Sequence, residues 1–291
     1  MMMKIESLGT SSAKIIYGEN HTDLLTLSVQ EVLNLFEPSG VLLFRRFGVT
    51  PTQMRAFSEK FSSRFVLEPA RRIVDSSGNG FVQLVDEGMD YVPPHCEHAS
   101  SPFRPDVVWF CCGVPAAQNG ETLFWDGVRA WEELSEEVRQ LFLSKKIKFK
   151  HHFPAIAWKI FFGSDTTIAD VERALNDLDG VNYLIKDDHS IYMEYTCSAV
   201  VKTKFSNQYA FANSILYNHR NKTVFFEDGL PFPDEVIEEI QTVMNRLMEV
   251  IRWQSGDLVM IDNSRFLHGR TAFDDTKRQV FSALSYLNGS P

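Results

Sequence analysis

None of the four cysteines in this chain stands in a CxxC pair, so zinc knuckles and thioredoxin-like redox motifs are excluded. Cys111 and Cys112 are adjacent in the apolar run VVWFCCGV. Strand alternation sends such neighbours to opposite faces, and buried, reduced thiols are expected. No apolar run is long enough to span a bilayer, and the N-terminal MMMKIESLGTSSAKIIYG has no apolar signal core. No membrane association and a cytoplasmic location are therefore expected. Basic charge is also scarce. With 29 Lys and Arg against 38 Asp and Glu, the net charge is −9, which argues against nucleic acid as a partner. No period of 20–50 residues repeats and no segment is low in complexity, which removes solenoids and propellers. No Pro/Gly/Ser-rich linker divides the chain, so residues 1–291 are read as a single domain. Nothing in the residues sets an oligomeric state.

Short runs rich in β-branched and aromatic residues and bounded by Gly, Pro, Asn or Asp are plentiful. Strands are predicted over 40–47, 80–86, 106–112, 121–126, 146–153, 190–196, 257–262 and 279–287. Helical spacing occupies 50–61, 128–143 and 232–251. Strands at both ends with helices grouped between them do not suit a doubly wound α/β sheet. They suit a mainly β fold with flanking helices, an antiparallel double-stranded β-helix of the jelly-roll or cupin-like kind. Segment 154–220 breaks the strand rhythm and is read as an irregular insertion or lid.

The chemistry concentrates in DYVPPHCEHASSPFRP, residues 90–105. On extended backbone, residues i and i+2 share a face, so His95 and Glu97 can converge on one cation while Cys96 and His98 point away. An HxE pair is weak alone; His21 and Asp23 in NHTD make a similar decoy, where Asp23 starting a helix is the plainer reading. A third ligand is at hand in GDLVMIDNSRFLHGR, where His268 is placed in the turn after a strand. Two histidines and one carboxylate form the facial triad that leaves positions open on non-haem Fe(II). A zinc hydrolase built on the same triad lacks a nearby base. A non-enzymatic jelly-roll binding protein with a relic metal site is the alternative from another class.

HCE, then GETLFWD (120–126), then GDLVMIDNSRFLHGR (256–270) and Arg278 together resemble the taurine dioxygenase-like (TauD/TfdA) family of Fe(II)/2-oxoglutarate dioxygenases. Glu rather than Asp in the HxE pair resembles the clavaminate synthase-like branch. The resemblance spans about residues 35–290 and is weakest over 154–220. It implies that His95, Glu97 and His268 ligate iron. It also implies that Arg278 pairs with the distal carboxylate of 2-oxoglutarate, and that Thr122 adds a hydroxyl to it. O2 is the co-oxidant, and 2-oxoglutarate leaves as succinate and CO2 while an unactivated C–H bond of a small molecule is oxidised. Hydroxylation, desaturation, oxidative cyclisation and epoxidation all remain open outcomes, and an amino acid derivative or natural-product intermediate is the expected substrate. Glu97 argues against halogenation, since the family's halogenases lack that carboxylate. Ser282 stands where many members carry a second, substrate-holding arginine, which argues against a small sulfonate.

Other titratable residues receive plainer readings. Arg71-Arg72 is read as a solvated surface pair rather than a contact for an acidic substrate, His151-His152 as a polar strand edge, and Phe161, Phe162 and Tyr217 as core rather than pocket wall. Lys277 competes with Arg278, and Arg270 either nears the cosubstrate or fixes its turn.

Overall fold

The computed structural model describes residues 4–19, 22–68, 71–74, 81–85, 88–162 and 165–289. Its centre is two facing sheets. The larger runs in the order Lys4–Ser7, Lys14–Tyr17, Val41–Arg45, Leu258–Asp262, Val107–Val114, Gln279–Tyr286, Gln83–Leu84, Arg72–Ile73, with Arg64–Val66 also paired to Gln279–Tyr286. The smaller runs Glu249–Ile251, Thr122–Asp126, Phe266–Arg270, Val92–His95. Pairing is antiparallel throughout both sheets except between Lys14–Tyr17 and Val41–Arg45.

Alternation along each strand explains the layers. Leu43, Val108, Phe110, Ile261, Val280 and Leu284 of the larger sheet meet Phe124 and Phe266 of the smaller between the sheets. The intervening residues Phe44, Trp109, Met260 and Phe281 face outward onto Phe36, Met54 and Phe57 of the helices Val29–Ser39 and Pro51–Ser58. Leu123, Trp125 and Leu267 of the smaller sheet pack beneath Trp131, Ile240 and Met244 of the helices Gly127–Glu133 and Asp234–Leu247. The result is the jelly-roll core with flanking helices that the strand pattern predicts. Cys111 lies on the helix side and Cys112 between the sheets, as alternation requires, and all four thiols are free. At Gly40 the first long helix ends with φ 69°, and a Cβ there would sit 2.4 Å from the Phe266 ring. Only glycine allows both the turn and that close approach.

The differences from the sequence reading have local causes. The pattern over 128–143 divides into two helices because Ser135 caps a new one, its hydroxyl accepting from Val138 N at 3.2 Å. The helix Asp234–Leu247 stops early, and Glu249–Ile251 joins the smaller sheet beside Thr122–Asp126. Segment 154–220 is regular rather than irregular. It carries helices Ala155–Phe162 and Ile168–Asn176, the second opened by a Thr167/Asp170 capping box. A hairpin, Val181–Ile185 and Ile191–Cys197, pairs with Ile147–Phe153 in a third sheet. Trp158, Val171, Leu175, Ile191 and Met193 give it a small core of its own. The hairpin turn DDHS, with His189 at φ 61°, lacks the Asn-Gly signature that would have announced it. Among the described residues, no helix is long and apolar enough to cross a membrane.

Candidate active site

The strand Val92–His95 reads VPPH, yet it lies at an edge of the smaller sheet, where prolines without N–H groups do not interrupt a central ladder. It pairs with Phe266–Arg270, and His95 stands directly opposite His268. His268 is therefore a strand residue, not the turn residue that the sequence suggested. Asp262 closes the real turn by accepting from Ser264 N at 2.8 Å and Ser264 Oγ at 2.6 Å. The close pairing needs Gly269, where a Cβ would fall 2.5 Å from Val92 O.

His95, Glu97 and His268 can each offer a ligand atom, all within 4.8 Å of one another. The imidazoles lie 4.4 Å apart by ring centroid, and His268 Nε2 is 3.6 Å from Glu97 Oε1. His95 Nδ1 donates to Pro93 O at 3.0 Å, which fixes the tautomer and leaves the Nε2 lone pair toward the cavity. Both ring nitrogens of His268 are buried without a hydrogen-bond partner among the described residues. Burial pushes the His95 imidazole down to about 4, so it is a neutral donor at physiological pH. Burial works against the Glu97 charge, but Arg71 and the two histidines hold its carboxyl well below the usual range. A buried carboxylate beside two imidazoles, one of them with both ring nitrogens unpartnered among the described residues, is a donor set that fits a divalent cation.

The HCEH stretch separates by direction only in part. Cys96 points away, its thiol donating to Phe266 O in the core, where burial pushes it up to about 11. His98 does not point away. Its φ of 55° breaks the alternation and turns the side chain into the same cavity, 3.4 Å from Glu68 Oε2. Glu68, Glu97 and His98 form a second close triplet, but Glu97 is already paired with Arg71.

Asn263, fully buried, fixes Glu97 from across the fold. Its Oδ1 accepts from Glu97 N and its Nδ2 donates to Glu97 O and Pro105 O, each at 2.9 Å. Ser214 Oγ donates to Cys96 O at 2.8 Å. Neither residue was singled out from sequence, because only the closed fold brings them within reach.

The cavity, about 620 Å³, extends from this cluster to Arg278, Thr122 and Arg270. Arg278 Nε donates to Gly120 O at 3.0 Å, and Nη1 is buried with no hydrogen-bond partner among the described residues. Burial, and then Arg270 nearby, pushes the Arg278 guanidinium down to about 10, still charged at neutral pH. At Gly120 a Cβ would lie 3.1 Å from Arg278 Cδ and Nε, so the glycine of GET makes room for the arginine. Thr122 Oγ1 accepts from Trp253 Nε1 at 3.1 Å and keeps its own proton to donate. A buried, incompletely bonded guanidinium beside a hydroxyl fits a carboxylate. Lys277, the competing cation, is exposed. Arg270 donates to Gly88 O and Asp90 O at 3.0 and 3.1 Å, and Arg270 and Arg278 each place their guanidinium carbon 4.9 Å from the Phe273 ring centre.

Three plainer readings are corrected here. Arg71 is not solvated: its side chain is 7% exposed and bonds Glu97 Oε1 at 2.9 Å. His151 and His152 line the cavity, His151 Nε2 donating to Ser100 O at 2.7 Å. Tyr217 is wall rather than core, 41% exposed with its ring 5.1 Å from His95. His21 and the side chains of Phe161 and Phe162 lie outside the described residues. Asp23 does start a helical turn, accepting from Leu25 N at 3.0 Å.

The profile of the taurine catabolism dioxygenase TauD, TfdA family matches residues 5–284. The chain belongs to this family. It is a 2-oxoglutarate-dependent non-haem iron dioxygenase, using Fe(II), 2-oxoglutarate and O2. Among curated relatives, the dapdiamide synthesis protein DdaC of Enterobacter agglomerans is 21% identical, over 89% of this chain and 90% of the relative. The 3-((Z)-2-isocyanoethenyl)-1H-indole synthase of Fischerella ambigua is 22% identical, over 92% of this chain and 90% of the relative. Among solved structures, PvcB of Pseudomonas aeruginosa superposes with a TM-score of 0.64 at 15% identity, covering 98% of this chain and 91% of PvcB. PvcB is described as an Fe, α-ketoglutarate-dependent oxygenase from an isonitrile synthetic pathway.

Proposed function

We propose that His95, Glu97 and His268 hold the iron, that Arg278 and Thr122 bind the distal carboxylate of 2-oxoglutarate, and that the substrate is an amino acid derivative or natural-product intermediate. The observation that carries this reading is the buried triplet with its open imidazole nitrogens, in one cavity with the incompletely bonded Arg278. Bound iron(II) with 2-oxoglutarate and O2 supplies oxidation of an unactivated C–H bond, coupled to decarboxylation of the cosubstrate. The chain's own residues position and exclude. Pro93 O orients His95, Asn263 holds Glu97 from both sides of its peptide unit, and Gly120 and Trp253 set Arg278 and Thr122. The apolar members of the lining, among them Phe110, Val280 and Trp158, keep bulk water from the reacting centre.

The substrate reading draws on the relatives, whose names place them in dapdiamide, isocyanoethenyl-indole and isonitrile synthesis. Residues 1–291 act as one catalytic domain, with 154–220 an insertion that walls the cavity through Ala157, Trp158, Ile191, Met193 and Tyr217. Four free thiols suit action in a reducing cytoplasm.

Purified protein loaded with Fe(II) and ascorbate is expected to convert 2-oxoglutarate to succinate and CO2, faster with an accepted substrate. His268→Ala is expected to lose iron binding, measured by equilibrium dialysis, together with that turnover. Unchanged iron uptake in His268→Ala would place the metal elsewhere.

A further inference from the structure

The cavity is larger than 2-oxoglutarate needs, and the wall beyond the metal triplet has a chemistry of its own. About 620 Å³ is room for a drug-sized molecule, whereas the cosubstrate is a five-carbon diacid. Past the triplet the wall passes to the strand Ile147–Phe153 and to segment 154–220, where it gathers Phe153, Ala157, Trp158, Leu175, Ile191 and Met193. Strand pairing explains the meeting. His151 stands opposite Met193 and Phe153 opposite Ile191, so the four share one face of the third sheet. Trp158 and Leu175, from the two helices of the insertion, pack with Ile191 and Met193. Phe153, Trp158 and Met193 are side chains that pack well on rings.

His151 is set into this apolar wall in a fixed orientation. Its Nε2 donates to Ser100 O at 2.7 Å, and its ring stacks with Phe153 at 5.5 Å between centroids. The nitrogen facing a carbonyl carries the proton of the imidazole, and burial favours the neutral ring here. Nδ1 is then a hydrogen-bond acceptor, and among the described residues no donor meets it. Other polar groups of the wall are engaged within the protein. Asn218 Nδ2 donates to Ser214 O at 2.9 Å and its Oδ1 accepts from Thr223 Oγ1 at 3.0 Å, while Ser101 Oγ donates to His98 O at 3.1 Å. A ligand group that covers Nδ1 without offering a proton strips an acceptor of water and gives nothing back, so it is disfavoured.

Resting on the iron and cosubstrate sites given above, we propose that this wall is the subsite for the part of the substrate that does not react. It takes an apolar, ring-sized group, and His151 Nδ1 accepts a hydrogen bond from an N–H or O–H on that group. His151 is thereby a specificity-determining residue: the apolar wall selects the body of the group, and the imidazole selects the one that carries a donor.

The test uses full-length protein holding Zn(II), which supports no turnover, and 2-oxoglutarate, with binding read by ligand-observed NMR. The probes are phenol, indole and cyclohexanol, each titrated beside its methylated partner, anisole, 1-methylindole and methoxycyclohexane. The donor-bearing members are expected to bind at least about 10-fold more tightly than their partners, the range of one buried hydrogen bond left unmade. His151→Phe is expected to erase that preference while the methylated members still bind, and His151→Gln, which keeps an acceptor, to retain part of it. Ala157→Phe, which fills the wall, is expected to weaken both members of each pair. Equal binding within the pairs, no binding of any probe, a preference unchanged in His151→Phe, or binding unaffected by Ala157→Phe overturns the proposal. Failure of the wild-type protein to take up metal and 2-oxoglutarate, read before any probe is added, would instead overturn the site reading beneath it.

Discussion

The two sides of the cavity are built by different means. One side is strand: Thr122, His268, Arg270 and the bulged start of Gln279–Tyr286 beside Arg278, each fixed by ladder pairing to a neighbour. The other is loop and insertion, with Glu68, Arg71, His98 and Tyr217 in the wall: Gln83 bonds the backbone of Glu68 and Arg71, Asn263 that of Glu97, and Ser214 that of Cys96. The strand side presents one fixed chemistry, suited to a cosubstrate that never changes. The loop side can vary without unravelling the sheets, which suits the part of the site that chooses a substrate.

Removing a charge from the strand side should therefore damage affinity and leave the scaffold alone. Arg278→Gln is expected to weaken 2-oxoglutarate by about 2–4 kcal/mol, roughly 30- to 1000-fold. Its thermal midpoint should stay near wild type, since among the described residues the guanidinium makes one hydrogen bond, to Gly120 O. Isothermal titration with 2-oxoglutarate and a metal, beside a melting curve, checks both. A large loss of stability would show that Arg278 braces the strands and would blur the distinction between the two sides.

On the loop side a single side chain carries the geometry, so its loss should loosen the metal without touching any ligand. Asn263→Ala removes three hydrogen bonds, two of them to the Glu97 backbone. Outer residues that orient a ligand are typically worth 10–100-fold in metal affinity, and about that loss is expected here. Iron competition against a chelator measures it. Arg278 affinity for 2-oxoglutarate in the manganese-loaded variant should change far less, because the strand side does not depend on Asn263.

The same division explains what could be read from the sequence. His95 and Glu97 were legible because extended backbone puts i and i+2 on one face, and Arg278 because it heads a long strand. Thr122 was legible by its place in GET. His268 was found as a residue but misplaced, since the five-residue strand Phe266–Arg270 follows so closely on Leu258–Asp262 that the pair reads as strand and turn. The rest depends on contacts between distant segments. Arg71 meets Glu97 across 26 positions and Ser282 across 211, and Asn263 meets Glu97 across 166. No periodicity encodes such meetings. His98 was misread for a local reason: one left-handed residue reverses a direction that alternation would fix.

The smallest expected effect is one of pH, and it separates the buried histidines from Arg278. In the metal-free protein, burial lowers His95 from 6.5 to about 4 and also lowers His98 and His151. As pH falls through 6.5, the unfolded chain takes up protons at these imidazoles that the folded chain refuses. Folding stability must then decrease with falling pH from about 6.5 and, for His95, level off below about 4. Arg278 at about 10 keeps its charge across that whole window and contributes nothing to the slope. Denaturant midpoints measured along this pH range should therefore fall less steeply for His98→Gln and His151→Gln than for wild type, and should run parallel to wild type for Arg278→Gln. A slope unchanged in His98→Gln and His151→Gln would mean that these two histidines do not carry the acid sensitivity.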